Sequence, residues 1–189
     1  MISGISTLPF FSLLAIGVDQ AFLVSLYGPL YSIIILSFSE EFFKSIALWW
    51  DKELKKQYYY PIIIGLSFAF FENISYLFGY EFTISFITLA TIRLFTGSTA
   101  HAIFTTLVAH IMNKGSKGTK TLYYILGLFV AGSFHSFFNL LHHWEMSYLT
   151  IPLLVILIIY IHFDGEEKQT ATTPRTTTRV PHLHPIASQ

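Results

Sequence analysis

"SEEFFKSIALWW", residues 39–50, closes an apolar run that begins near residue 21 and carries two adjacent carboxylates and a lysine. The run exceeds the roughly 20 residues that a spanning helix needs. A charge at the bilayer centre costs about 2.5–3.5 kcal/mol even on the gentler insertion scales. Glu40, Glu41 and Lys44 therefore read as functional residues held at membrane depth.

The rest of the chain supports a membrane reading. Of 189 residues, 53% are hydrophobic and 12% charged, about half the charged share of an ordinary soluble domain. Zero net charge gives no electrostatic footprint for nucleic acid. The absence of cysteine excludes disulfides, thiolate metal sites and cysteine nucleophiles. No basic segment precedes the first apolar run and no small-residue cleavage site follows it, so it reads as a retained helix rather than a signal peptide.

Apolar runs at 4–18, 21–50, 60–80, 82–112, 121–143 and 147–162 predict an all-α, polytopic transmembrane bundle of about six spans. Gly28-Pro29 is placed to break the second run and Gly97 to soften the fourth. Lysines gather in "DKELKKQ" (51–57) and "NKGSKGTK" (113–120), while the opposite connections hold neither Lys nor Arg. The positive-inside rule then makes the lysine loops and both termini cytoplasmic. Residues 1–163 read as one membrane domain, and the Thr- and Pro-rich residues 164–189 as a disordered polar tail. Paired aromatics at Trp49-Trp50, Tyr58–Tyr60 and Tyr123-Tyr124 mark interfaces rather than a cofactor site.

At 1.5 Å per residue, Glu40 lies about 15 Å from the cytoplasmic end of its helix, Glu72 and His101 about 18 Å, and His135 about 21 Å. Four helices thus carry their costliest side chains to one layer. Glu40 and Lys44 are i,i+4, so Lys44 is expected to neutralise Glu40, and Glu41 to need another partner. His135 and Asn139 share a face, and Arg93 is placed to hold Glu72 or Glu41. His110, His142, His143 and His162 lie nearer helix ends and read as interfacial. Such a layer suits hydrolysis, with a glutamate base and His or Asn on the oxyanion, or divalent-metal binding for catalysis or transport. Spacing does not choose between them.

Four motifs occur in order on separate helices: "EEFFK" (40–44), "FAFFEN" (68–73), "RLFTGSTAH" (93–101) and "HSFFN" (135–139). Together, over about residues 30–145, they resemble the PrsW family of intramembrane proteases, within the group that includes the CAAX prenyl endopeptidases and the Abi/CPBP proteins. The resemblance implies a multi-helix membrane fold and hydrolysis of a peptide bond in a membrane-embedded protein or peptide. Glu40 and Glu41 match the water-activating double glutamate and Lys44 its basic residue. Glu72 matches the second-motif acid, beside Asn73, where the CAAX enzymes carry histidine. His101, in the motif opened by Arg93, and His135 match the later histidines, and Asn139 the oxyanion amide. The implied cofactor is zinc or none.

These readings combine into an endopeptidase of the prokaryotic cell membrane, with Glu40 as general base, Glu41 orienting it, and His135 and Asn139 on the oxyanion. Glu72, Asn73, Arg93 and His101 would orient water or substrate. A zinc version takes Glu72, His101 and His135 as ligands, with donor atoms about 2.0–2.2 Å from a common point. The alternatives are a divalent-metal or proton transporter and a non-catalytic membrane scaffold.

Overall fold

A computed structural model describes residues 20–50, 59–77 and 84–172. Those residues form helices and turns only: α1 (Gln20–Trp50), α2 (Tyr59–Leu77), α3 (Ile84–Ile92), α4 (Ser98–Met112), α5 (Lys120–His143) and α6 (Thr150–Thr172). The apolar run at 4–18 and the lysine loop at 51–57 lie outside the described residues.

The breaks fall where backbone chemistry demands them. Gly28 has φ 78° and ψ 165° inside α1, a conformation that Pro29 and the absent Cβ make accessible. The 82–112 run is not a uniform α-helix. Arg93–Gly97 form a π-helical turn between α3 and α4, and the Ser98 N–H bonds back to the Arg93 carbonyl. Such widened turns are frequent at functional sites. The last run also differs from expectation: a 3-10 turn at Ser147–Leu149 precedes α6, which continues to Thr172. Residues 173–189 lie outside the described residues.

α4 is the centre of the bundle. Every residue from Ala100 to Met112 is buried, His101, Thr105, Thr106 and His110 among them, so the helix is enclosed on all sides. It packs on α2 and α5, and α5 packs in turn on α1. The α2–α4 crossing depends on Gly65, where a Cβ would stand 2.5 Å from the His101 carbonyl oxygen and 2.6 Å from Ala102 Cα. Small residues at such crossings let backbones meet in membrane bundles.

The outer surface is apolar. Leu122, Ile125 and Phe129 on α5 and Ile151, Ile156 and Ile159 on α6 point outward, an extent of exposed apolar surface that marks a lipid-facing wall. Hydroxyls on the helices satisfy themselves: Thr88, Thr91, Thr96 and Ser133 each donate to the carbonyl four residues earlier, which suits a surface without water. Lys120–His143 and Ser147–Asp164 are long and apolar enough to cross a bilayer. The fold is thus an all-helical bundle.

Candidate active site

Eight of the nine residues singled out by the sequence meet in one polar network inside the bundle, and the ninth, Asn139, bonds Ser37 and lines the cavity beside it. The tight α2–α4 crossing brings Glu72 within 2.5 Å of His101, Glu72 Oε2 facing His101 Nε2. The Arg93 guanidinium uses two arms of its fork. Its terminal nitrogen donates to Glu72 Oε1 at 3.0 Å and its Nε to Asn73 Oδ1 at 3.1 Å. The π turn aims Arg93 at α2, and the Asn73 amide donates to Ser98 Oγ at 3.4 Å.

On the other side, Lys44 contacts Glu41 rather than Glu40, which corrects the i,i+4 pairing read from spacing. The i,i+3 partner is equally near on a helix, and the tertiary neighbours decide between them. The Lys44 ammonium also lies 3.0 Å from His101 Nδ1 and over the Phe68 ring. Glu41 Oε1 receives His135 Nδ1 at 2.8 Å, and Arg93 serves Glu72, not Glu41. Asn139 donates its amide to Ser37 Oγ at 3.0 Å. The His135 ring stacks on Phe104 and meets His101 edge to face at 5.0 Å.

The two adjacent glutamates are not equivalent. The Glu41 side chain is 0% exposed and the Glu40 side chain 14%. Glu40, Glu72, Arg93, His101 and Asn139 line a cavity of about 310 Å³, together with His142 and His143. Glu41 and Lys44 stand behind that wall. One Glu40 oxygen, Oε2, is buried without a hydrogen-bond partner and lies 3.6 Å from His135 Nε2. Three carboxyl groups (Glu40, Glu41, Glu72) thus gather with Lys44 and Arg93, and of the three Glu40 has neither basic residue as a direct partner.

The profile of PrsW family intramembrane metalloproteases matches residues 4–163. The chain belongs to that family. It is therefore an intramembrane protease, a hydrolase of the membrane. No curated protein and no solved structure matches the chain.

The family's description as metalloproteases raises the question of which side chains suit a metal. Glu40, His101 and His135 each offer a donor atom within 4.8 Å of the others. The expected trio contained Glu72 in place of Glu40; in the structure Glu72 is engaged by both Arg93 and His101. His135 has the arrangement common to metal-bound imidazoles, one nitrogen on a carboxylate and the other turned to the site. The buried, unpartnered Glu40 Oε2 also suits a cation. The site therefore fits a metal through Glu40 and His135, with His101 in reach.

Four wall and support residues escaped the sequence reading. Ser37 lies one turn before Glu40, and His142 lies two turns beyond His135 on the face shared with Asn139, so helical spacing did carry a signal. His142 and His143, expected only at an interface, line the cavity. Ser98 stands at the first turn of α4 and holds Asn73.

Proposed function

We propose that the chain cleaves a membrane-embedded protein substrate by glutamate-activated water, with Glu40 as the general base. The observation that supports this reading most is the placement of Glu40: alone of the double-glutamate motif it lines the cavity, and it has a buried oxygen free of partners. A carboxylate so placed is within reach of a water molecule in the cavity and can take its proton.

In this mechanism Glu40 takes a proton from water as its oxygen attacks the scissile carbonyl carbon. The carbonyl π electrons move to oxygen, and an Asn139 N–H not used on Ser37 stabilises the resulting oxyanion. Glu40 then returns the proton to the amide nitrogen as the C–N bond breaks and the amine leaves. Glu41 acts behind the cavity wall by fixing His135, and Arg93 holds Glu72 in place. A divalent metal held by Glu40 and His135 would supply Lewis-acid polarisation of the carbonyl and a more acidic water.

The topology belonging to this reading has about six spans, with lysine loops and termini cytoplasmic. The domain organisation of this reading is a membrane unit followed by a polar tail, whose first residues, expected to be disordered from 164 on, continue helix α6 to Thr172. The cavity draws on His142 and His143, which close α5 at the end away from Lys120. Substrate would enter from that end. The direct test is reconstitution with a single-pass membrane substrate in liposomes. Wild-type protein should release a discrete fragment and Glu40→Ala none, with the variant still eluting as a folded species. Unchanged turnover in Glu40→Ala removes the assignment.

A further inference from the structure

The hydrogen-bond partners of His101 and His135 are of opposite kinds. A lysine ammonium has three donors and no acceptor, and an ionised carboxylate only accepts. His101 Nδ1 faces the Lys44 ammonium at 3.0 Å, so that nitrogen must offer a lone pair. With Nδ1 accepting, a neutral His101 carries its proton on Nε2, which lies 2.5 Å from Glu72 Oε2 in an ion-pair contact without hydrogen-bond geometry. The Lys44 contact sets this tautomer, and the neighbouring carboxylate is compatible with it. At His135 the order is reversed: Nδ1 meets the Glu41 carboxylate at 2.8 Å and must carry a proton, which turns Nε2 toward Glu40.

We propose that Lys44 is a positioning residue that acts through His101, fixing it as the Nε2–H tautomer committed to Glu72, while Glu41 fixes His135 as the Nδ1–H form. Lys44 thus acts on the far wall of the cavity by a line of alternating donors and acceptors from Glu41 through Lys44, His101 and Glu72 to Arg93. Glu41, Lys44 and His101 in that line are nearly or fully buried, so little water competes for the contacts between them. The arrangement also divides the histidines by task. His135 offers its second nitrogen to Glu40 and to any cation held there. His101 is withheld from such a cation while Lys44 and Glu72 hold both its nitrogens, although its donor atom is near enough to serve. The double-glutamate motif and its lysine therefore set the polarity of both imidazoles. Only Glu40 of the three faces the cavity.

The inference concerns the site on which the proteolytic reading rests, but its test needs no substrate, so failure of one is distinguishable from failure of the other. Full-length protein with ¹⁵N-labelled histidine, in lipid nanodiscs without added metal, gives the tautomer of each ring from its nitrogen resonances. Single His101→Gln and His135→Gln variants assign the signals. The expected spectrum has His101 protonated on Nε2 and bare on Nδ1, and His135 protonated on Nδ1. In Lys44→Met the bare His101 nitrogen should shift toward the position of an imidazole that accepts no hydrogen bond, and Lys44→Arg should restore it. A His101 protonated on Nδ1 in the wild type overturns the proposal. So do His101 resonances unmoved by Lys44→Met. If Lys44→Met does not fold, the wild-type tautomers decide the matter, together with Lys44→Gln, which keeps a donor and should retain the wild-type His101 pattern.

Discussion

Glu41 Oε1 lies 2.8 Å from His135 Nδ1, so the second glutamate of the pair reaches back to α5 and leaves the cavity to Glu40. Two residues adjacent in sequence thereby take different tasks. In the proposed mechanism Glu40 is the reacting group, and Glu41 holds the imidazole behind it.

That division predicts different consequences for the two isosteric amides. Glu40→Gln should lower single-turnover cleavage by about 10²–10⁴, the range of a lost general base, with little change in stability. Glu41→Gln should cost stability as well, because Lys44 loses its buried counter-charge. Breaking a buried pair costs about 3–5 kcal/mol. Denaturation of both variants in one detergent separates them; equal stability loss would contradict the division.

Metal binding should follow the two available donors. Zn²⁺ titrated into metal-free protein by calorimetry should bind at least 10–100-fold more weakly, roughly the scale set by second-shell losses, in His135→Ala or Glu40→Gln. His101→Ala should bind within a few-fold of wild type. Loss of affinity in His101→Ala equal to that in His135→Ala would restore a three-ligand site.

Arg93 bonds Glu72 and Asn73 with separate arms of one guanidinium, a geometry that lysine does not reproduce. Arg93→Lys should therefore behave like Arg93→Gln and not like wild type, losing at least about tenfold in cleavage through misplacement of Glu72. A lysine variant with full activity would show that charge alone suffices.

Gly65→Ala should part α2 from α4. Its methyl would meet the backbone of His101 and Ala102, and overpacking of this kind costs about 1–3 kcal/mol. Gly97→Ala, where nothing lies within 4 Å, should be neutral or stabilising by up to about 1 kcal/mol. Thermal unfolding of the two variants checks the contrast.

The chain has no cysteine, so single cysteines report sidedness cleanly. Lys117→Cys should react with an impermeant maleimide only from the cytoplasmic side, and exposed Tyr148→Cys only from the opposite one. Labelling of both from one side would overturn the orientation.

The amino-acid sequence by itself determined the helical class, the kink at Gly28, and the set of costly side chains at one depth. These follow from local chemistry: apolar run length, backbone freedom at glycine, and the fixed rise of a helix. The four motifs also carried the family. Pairing was another matter. Lys44 is within reach of both Glu40 and Glu41 along its own helix, and the neighbours on α4 and α5, His101 and His135, settle which carboxylate takes it. Helical periodicity placed His142 on the His135 face, yet only the meeting of α1, α2, α4 and α5 shows that face to be a cavity wall. Spacing fixes which groups share a helix face to within a turn, or about 5 Å. Hydrogen bonds discriminate over tenths of an ångström and by donor or acceptor, and those are set when separate helices pack.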